Sequence, residues 1–165
     1  CLDADHLVHT LYKPGKPGSR LIRRFFGEKY LNSDGSVDRS FLSDAVFSDP
    51  KKLKLLHSII HPLLTSEVKK WLILNKKKHP NAIFMEAFYF DPDYLGSFVD
   101  KLIFVRASKN LCFQRVQKLF HIKRKKFDVI WKLLPAYEPD FVLNNDSTQK
   151  NFFHSAEVLL KQLKI

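Results

Sequence analysis

A chain of 165 residues with 28 Lys and Arg against 17 Asp and Glu carries a formal charge of +11, which favours anionic partners such as phosphate-bearing ligands, nucleic acid or membrane surfaces. Hydrophobic residues make up 45% and aromatics 13%, with 15 Phe, so a disordered basic tail is excluded and one domain-sized core is implied. Only Cys1 and Cys112 are present, excluding a disulfide framework or a Cys-rich zinc site; with no apolar run of about 18 residues and no signal-peptide pattern, a soluble cytoplasmic protein without membrane partners is expected.

Cys1 to Asp5 reads as the end of a short strand entering a polar turn, and His6 to Tyr12 as a helix with Leu7, Val8, Leu11 and Tyr12 at helical spacing. Lys13-Pro14-Gly15-Lys16-Pro17-Gly18 is expected to stop that helix as a punctuated loop. From Ser19 to Tyr30 the apolar positions Leu21, Ile22, Phe25 and Phe26 repeat at helical intervals, ending at Gly27, and Asn32-Ser33-Asp34-Gly35 signals a turn. Asp38–Phe47 and Asp49–Lys78 read as two helices, with Asp49-Pro50 supplying a cap and a first-turn proline. Pro62 predicts a kink or a restart in the second of them, because proline lacks an amide hydrogen and clashes with the preceding turn.

Asn81–Ala87 and Lys101–Val105 are continuous apolar runs of strand length, the pattern of parallel strands covered on both faces. Lys109–Phe120 returns to helix, and the stretch to Lys126 adds Lys118, Lys123, Arg124, Lys125 and Lys126 without an acidic residue. Phe141–Asn145 predicts a last strand and Phe152–Ile165 an amphipathic terminal helix, so strands alternate with helices in an α/β layered domain.

Several local patterns stand in one order: Asp3-Ala4-Asp5, His9, Leu11-Tyr12, Pro14-Gly15, Phe26-Gly27, Asp34-Gly35, Asp38-Arg39, Leu42, Val46-Phe47 and His61-Pro62. Val99-Asp100-Lys101, Gln114-Arg115 and Asp140-Phe141-Val142-Leu143-Asn144-Asn145 follow. Each is weak alone; together, at this spacing, they resemble the dephospho-CoA kinase family. The resemblance implies transfer of the γ-phosphoryl group of ATP to the ribose 3′-hydroxyl of dephospho-CoA, with ATP and Mg²⁺ required. It also implies a three-layer parallel sheet of the P-loop nucleotide-kinase type within one kinase-like domain over residues 1–165. A helical acceptor-binding region at about residues 19–79 and a lid at about residues 115–139 belong to that expectation.

On the same resemblance, Asp5 is the carboxylate expected to accept or orient the 3′-hydroxyl proton, and its place after a strand end suits a ligand site of a parallel sheet. Its alternative role is to cap the helix beginning at His6. Asp3, His9, Arg39, His61 and Asp91 are the acceptor-binding candidates. His9 could equally be a packed structural histidine, Arg39 an exposed partner of Asp38 or Asp34, and His61 a residue that shapes its helix at Pro62. Arg115 would be the catalytic cation of the lid, and Lys118, Lys123 and Arg124 would face triphosphate oxygens there, the alternative being a solvated helix face.

The sequence departs from the family in three places. None of the five glycines stands in a G-x-x-x-x-G-K-[ST] loop, so roughly 30 residues carrying that phosphate cradle are expected upstream of Cys1. Ala87-Phe88-Tyr89-Phe90-Asp91 replaces the family's Pro-Leu-Leu-Phe-Glu, and Leu119-Phe120 and Pro135-Ala136-Tyr137 occupy lid positions where a second Arg and a Gln are usual. A dephospho-CoA kinase, monomeric or weakly self-associating and without nucleic-acid partners, is the expectation. The alternatives are a degenerate non-catalytic relative that binds CoA-like or nucleic-acid anions, and a kinase for another nucleotide acceptor.

Overall fold

A computed structural model describes residues 1–78, 80–134, 136 and 138–165, and the chain falls into two units, Cys1–Phe98 and Val99–Ile165. His79, at the edge of the expected acceptor-binding region, and Pro135 and Tyr137, in the expected lid, lie outside the described residues.

The first unit opens with a two-residue strand, β1 (Leu2–Asp3), paired in parallel with β2 (Met85–Glu86) in the register Leu2↔Met85 and Asp3↔Glu86. Asp3 Oδ1 accepts the His6 amide at 2.8 Å, so the chain turns straight from β1 into α1 (Ala4–Leu11). The next helix, α2, spans Pro17–Phe26. The expected loop is therefore shorter than its punctuation suggests: Pro17 has the fixed φ and missing N–H that suit a first helical turn, so it starts the helix instead of closing the loop. Gly18 is required by packing, since a Cβ there would lie 2.7 Å from the Leu11 carbonyl oxygen.

After Gly27 the chain makes a 3-10 turn over Glu28–Tyr30 and a tight loop closed by the antiparallel bridge Leu31↔Val37. Helix α3 (Arg39–Phe47) is capped by Asp38, which accepts from the Phe41 amide at 2.9 Å. Helix α4 (Pro50–Lys76) is capped by Asp49 and runs 27 residues through Pro62 without the expected restart. Pro62 lies on the exposed side, while the buried stripe Ile60, Leu64 and Val68 continues past it, so packing along the stripe outweighs the lost hydrogen bond. That stripe joins two cores. Ile60 packs with Tyr12, Ile22, Tyr30, Val37, Leu42 and Val46, whereas Leu64 and Val68 pack with Leu2, Ala4 and Leu95. The unit ends in α5 (Pro92–Leu95), capped by Asp91, and a 3-10 turn over Gly96–Phe98.

In the second unit β3 (Ile103–Arg106) pairs in parallel with β4 (Phe141–Asn144), from Ile103↔Phe141 to Arg106↔Asn144. Asp140 secures the start of this pair by accepting from Lys101 Nζ and the Leu102 amide, both at 2.8 Å. Among the described residues its helices are α6 (Lys109–Phe120), α7 (Arg124–Leu133) and α8 (Gln149–Gln162). The basic stretch after α6 thus turns helical, with Phe127 buried against Phe113 and Trp131. The expected parallel pairing holds in both units, each pair being two strands wide. Full coverage of the strands does not: within its unit β3 leaves Phe104 and Val105 exposed, because an apolar run reports hydrophobicity and not how many layers pack on it.

Candidate active site

Because α1 starts at Ala4, Asp5 sits in the first turn of a helix at the carboxyl end of a parallel strand, where ligands of such sheets collect. Capping belongs to Asp3, which overturns the alternative role considered for Asp5. The exposed Asp5 carboxylate turns elsewhere: its Oδ2 accepts a 2.9 Å hydrogen bond from the backbone amide of Phe88, 83 residues away, just beyond β2. Oδ1 accepts no hydrogen bond among the described residues.

One turn further along α1, half-buried His9 feels Asp5 and Asp3 on one side and Arg39 on the other. Burial first, then the Arg39 charge, holds its imidazole below the ordinary histidine value, against the two carboxylates, so His9 favours the neutral form. The Val37 amide donates to the Tyr12 carbonyl at 3.0 Å, which brings the start of α3, and hence Arg39, beside the end of α1. Burial raises the Tyr12 hydroxyl well above the usual phenol range, while Arg39 opposes the rise. Among the described residues Arg39 pairs with neither Asp38, which caps α3, nor Asp34, which accepts from Ser36.

His61 and Asp91 also meet in this unit. His61 Nδ1 lies 3.3 Å from Asp91 Oδ2 but off the line of a hydrogen bond, which leaves Nδ1 buried and unsatisfied among the described residues. Asp91 Oδ1 is engaged in capping α5 through the Asp93 amide at 3.0 Å. On α4, His57 stacks on His61 with ring centroids 4.6 Å apart. Tyr89 lies 4.8 Å from His57 and 6.0 Å from His61, and Tyr94 meets His61 edge-on at 4.7 Å. Burial, helped by neighbouring His57 and opposed by Asp91, pushes His61 down to about 4, so the imidazole is neutral near pH 7. His57, Tyr89 and Tyr94 were not among the sequence candidates. The i, i+4 spacing of His57 and His61 was the one available signal, since it places both rings on one helix face.

The remaining candidates lie in the second unit. Arg115 is half-buried on α6, and Lys118 and Lys123 are exposed and form no ion pair among the described residues. Arg124 is committed locally: its Nε lies 3.2 Å from an Asp128 oxygen, both terminal nitrogens reach Asn110 Oδ1 at 3.4 Å, and its guanidinium covers the Phe113 ring at 4.8 Å. Lys109 Nζ meets the other Asp128 oxygen at 2.6 Å, and this bond above all holds the Asp128 carboxyl below the ordinary carboxylate range. Asp128 thus pins α7 to α6 through Lys109, while Arg124, on α7 itself, reaches α6 through Asn110. Among the described residues no three His, Cys, Asp or Glu side chains converge on a metal position, and no helix is long and apolar enough to cross a membrane.

The family model of dephospho-CoA kinase matches residues 1–133. The dephospho-CoA kinase of Aquifex aeolicus is 30% identical over 168 aligned residues, covering 98% of this chain and 84% of that protein. The dephospho-CoA kinase of Bacillus cereus is 27% identical, covering 99% and 84%. Among solved structures, the crystal structure of TT1252 from Thermus thermophilus superposes with a TM-score of 0.70 at 20% identity, covering 98% of this chain and 83% of that one. The dephospho-CoA kinase from Campylobacter jejuni gives a TM-score of 0.61 at 19% identity, with the same coverage. These two likenesses establish a shared mixed helix and strand fold.

Proposed function

This chain belongs to the dephospho-CoA kinase family and acts as a dephospho-CoA kinase, and we propose that Asp5 is the carboxylate that receives or orients the ribose 3′-hydroxyl proton during transfer of the ATP γ-phosphoryl group. The observation that carries this reading is the placement of Asp5: at the carboxyl end of β1, one oxygen held by the Phe88 amide and the other without a donor among the described residues. A carboxylate held through one oxygen presents the second in a fixed direction, which is what orienting a hydroxyl nucleophile requires. His9, which senses both Asp5 and Arg39, and Arg39 itself suit acceptor recognition, a neutral imidazole for hydrogen bonding and a guanidinium for phosphate. Arg115, Lys118 and Lys123 would contribute cationic charge toward the transferring phosphoryl group. Arg124 would serve the lid by tying α7 to Asn110 and Phe113 of α6 instead of meeting phosphate.

The same reading takes in the three-layer sheet of the P-loop nucleotide kinases, the acceptor-binding region at about residues 19–79, the lid at about residues 115–139 and a cytoplasmic location. Residues 1–165 contain no G-x-x-x-x-G-K-[ST] loop, and the described ones offer no carboxylate or histidine cage for Mg²⁺, so they do not by themselves fit the ATP phosphates and their ion. ATP with its Mg²⁺ enters as co-substrate. The test is a coupled assay of the full-length protein with ATP and dephospho-CoA. Asp5→Asn should lower kcat by about 10²- to 10⁴-fold, the usual worth of general-base assistance, and unchanged turnover would sink the assignment.

A further inference from the structure

Asp5 depends on a backbone amide that sits in an irregular segment. β2 ends at Glu86 and α5 begins at Pro92, so Ala87–Asp91 spans the gap outside both elements. Phe88, whose amide holds Asp5, lies within this gap with its side chain exposed. Its orientation depends on how the flanking residues are anchored: Ala87 and Phe90 pack on the core that holds Leu2, Ala4, Leu64, Val68 and Leu95, while Tyr89 and Asp91 turn to α4. The Tyr89 ring, one residue on, rests against His57 and His61, and the carboxylate of Asp91 approaches His61 Nδ1. Tyr94, on α5 just beyond Asp91, meets the His61 ring edge-on, and its carbonyl accepts from Thr65 Oγ1 at 3.4 Å, again on α4.

The His61 side chain is only 12% exposed and its ring is held among three others, which is the environment of a packing anchor and not of a ligand contact. We propose that His61, backed by His57, is a positioning residue: it fixes the Ala87–Asp91 segment on α4 so that the Phe88 amide is presented to the Asp5 carboxylate. This rests on the reading of Asp5 as the catalytic carboxylate. The neutral imidazole and the off-line approach of Asp91 make the ring, more than the charge, the effective group. Loss of the ring removes one of the contacts that place Tyr89, and a displacement of about 1 Å carried through Phe88 to the Asp5 carboxylate costs on the order of 10²-fold in rate.

The experiment is steady-state kinetics of the full-length enzyme with ATP and dephospho-CoA for His61→Ala, His61→Phe, Asp5→Asn and the double variant Asp5→Asn/His61→Ala. His61→Ala should lower kcat tenfold or more with KM for dephospho-CoA changed less than threefold, and His61→Phe, which restores a ring, should recover most of that loss. In the Asp5→Asn background His61→Ala should cost less than threefold, because the group it positions is gone. A His61→Ala enzyme at wild-type kcat, a loss confined to KM, or an equal loss in both backgrounds overturns the proposal. Should His61→Ala not fold, Tyr89→Leu carries the same expectations and the same refutations. Unchanged turnover of Asp5→Asn would instead defeat the reading of Asp5, so the two failures are told apart.

Discussion

Acidification should destabilise this protein well before its carboxylates titrate, and His61 supplies a definite share. Its ordinary value of 6.5 falls to about 4 in the folded chain, with burial the main cause and His57 the next. A histidine depressed in this way is neutral in the fold and takes up its proton first in the unfolded chain. Its contribution is complete above pH 6.5 and drains away as the pH falls toward 4. The side chain is 12% exposed, so solvent screening removes little of the effect. Linkage between those two values gives a loss of about 1 kcal/mol by about pH 5.5 and about 2 to 3 kcal/mol by about pH 4.5. Against a total stability of roughly 5 to 15 kcal/mol that is a large fraction. The assay is urea denaturation of full-length wild type and His61→Phe at about pH 7.5, 5.5 and 4.5. Phe keeps the ring and removes the titration, so the acid-induced loss should be smaller in the variant by those amounts. Asp34, Asp128 and Asp140, whose carboxyls are all held below the ordinary range, are present in both proteins and cancel in the difference. Stability curves that stay parallel to within about 0.5 kcal/mol would refute the burial argument.

Two further substitutions test the frame that places Asp5 and Arg39. Gly18→Ala should destabilise by about 1 to 2 kcal/mol in denaturant melts: an alanine gains roughly 1 kcal/mol of helix propensity, but its Cβ meets the Leu11 backbone oxygen at 2.7 Å and α1 and α2 must part. A stabilised or neutral variant would mean that the two helices separate at no cost. Asp38→Ala removes the side chain that accepts the Phe41 amide at 2.9 Å and should cost about 1 kcal/mol, with Asp38→Asn close to wild type. Equal melts for both variants would show that the cap is idle.

Features legible in the sequence are those settled within about four residues of chain. Asp49 caps α4 as expected, α3 begins within one residue of the expected start with Asp38 as its cap, Gly27 ends α2, and α6 spans the residues its periodicity marks. The ordered motifs also placed Asp5 at a strand end and named the family that the comparisons then established. Propensity, capping and periodicity are local energies, so a sequence displays them. Where two local signals compete, the chain alone does not rank them: Pro17 could close a loop or open a helix, and Pro62 could break α4 or ride on its exposed side. Burial of Ser19 and Ile22 on α2, and of Ile60, Leu64 and Val68 along α4, decided both. That the Asp5 carboxylate accepts the Phe88 amide, 83 residues distant, needed β2 brought beside β1, and the enclosure of His61 needed Tyr89, Asp91 and Tyr94 folded back onto α4. Such contacts depend on where whole elements come to rest, and only the packed core fixes that.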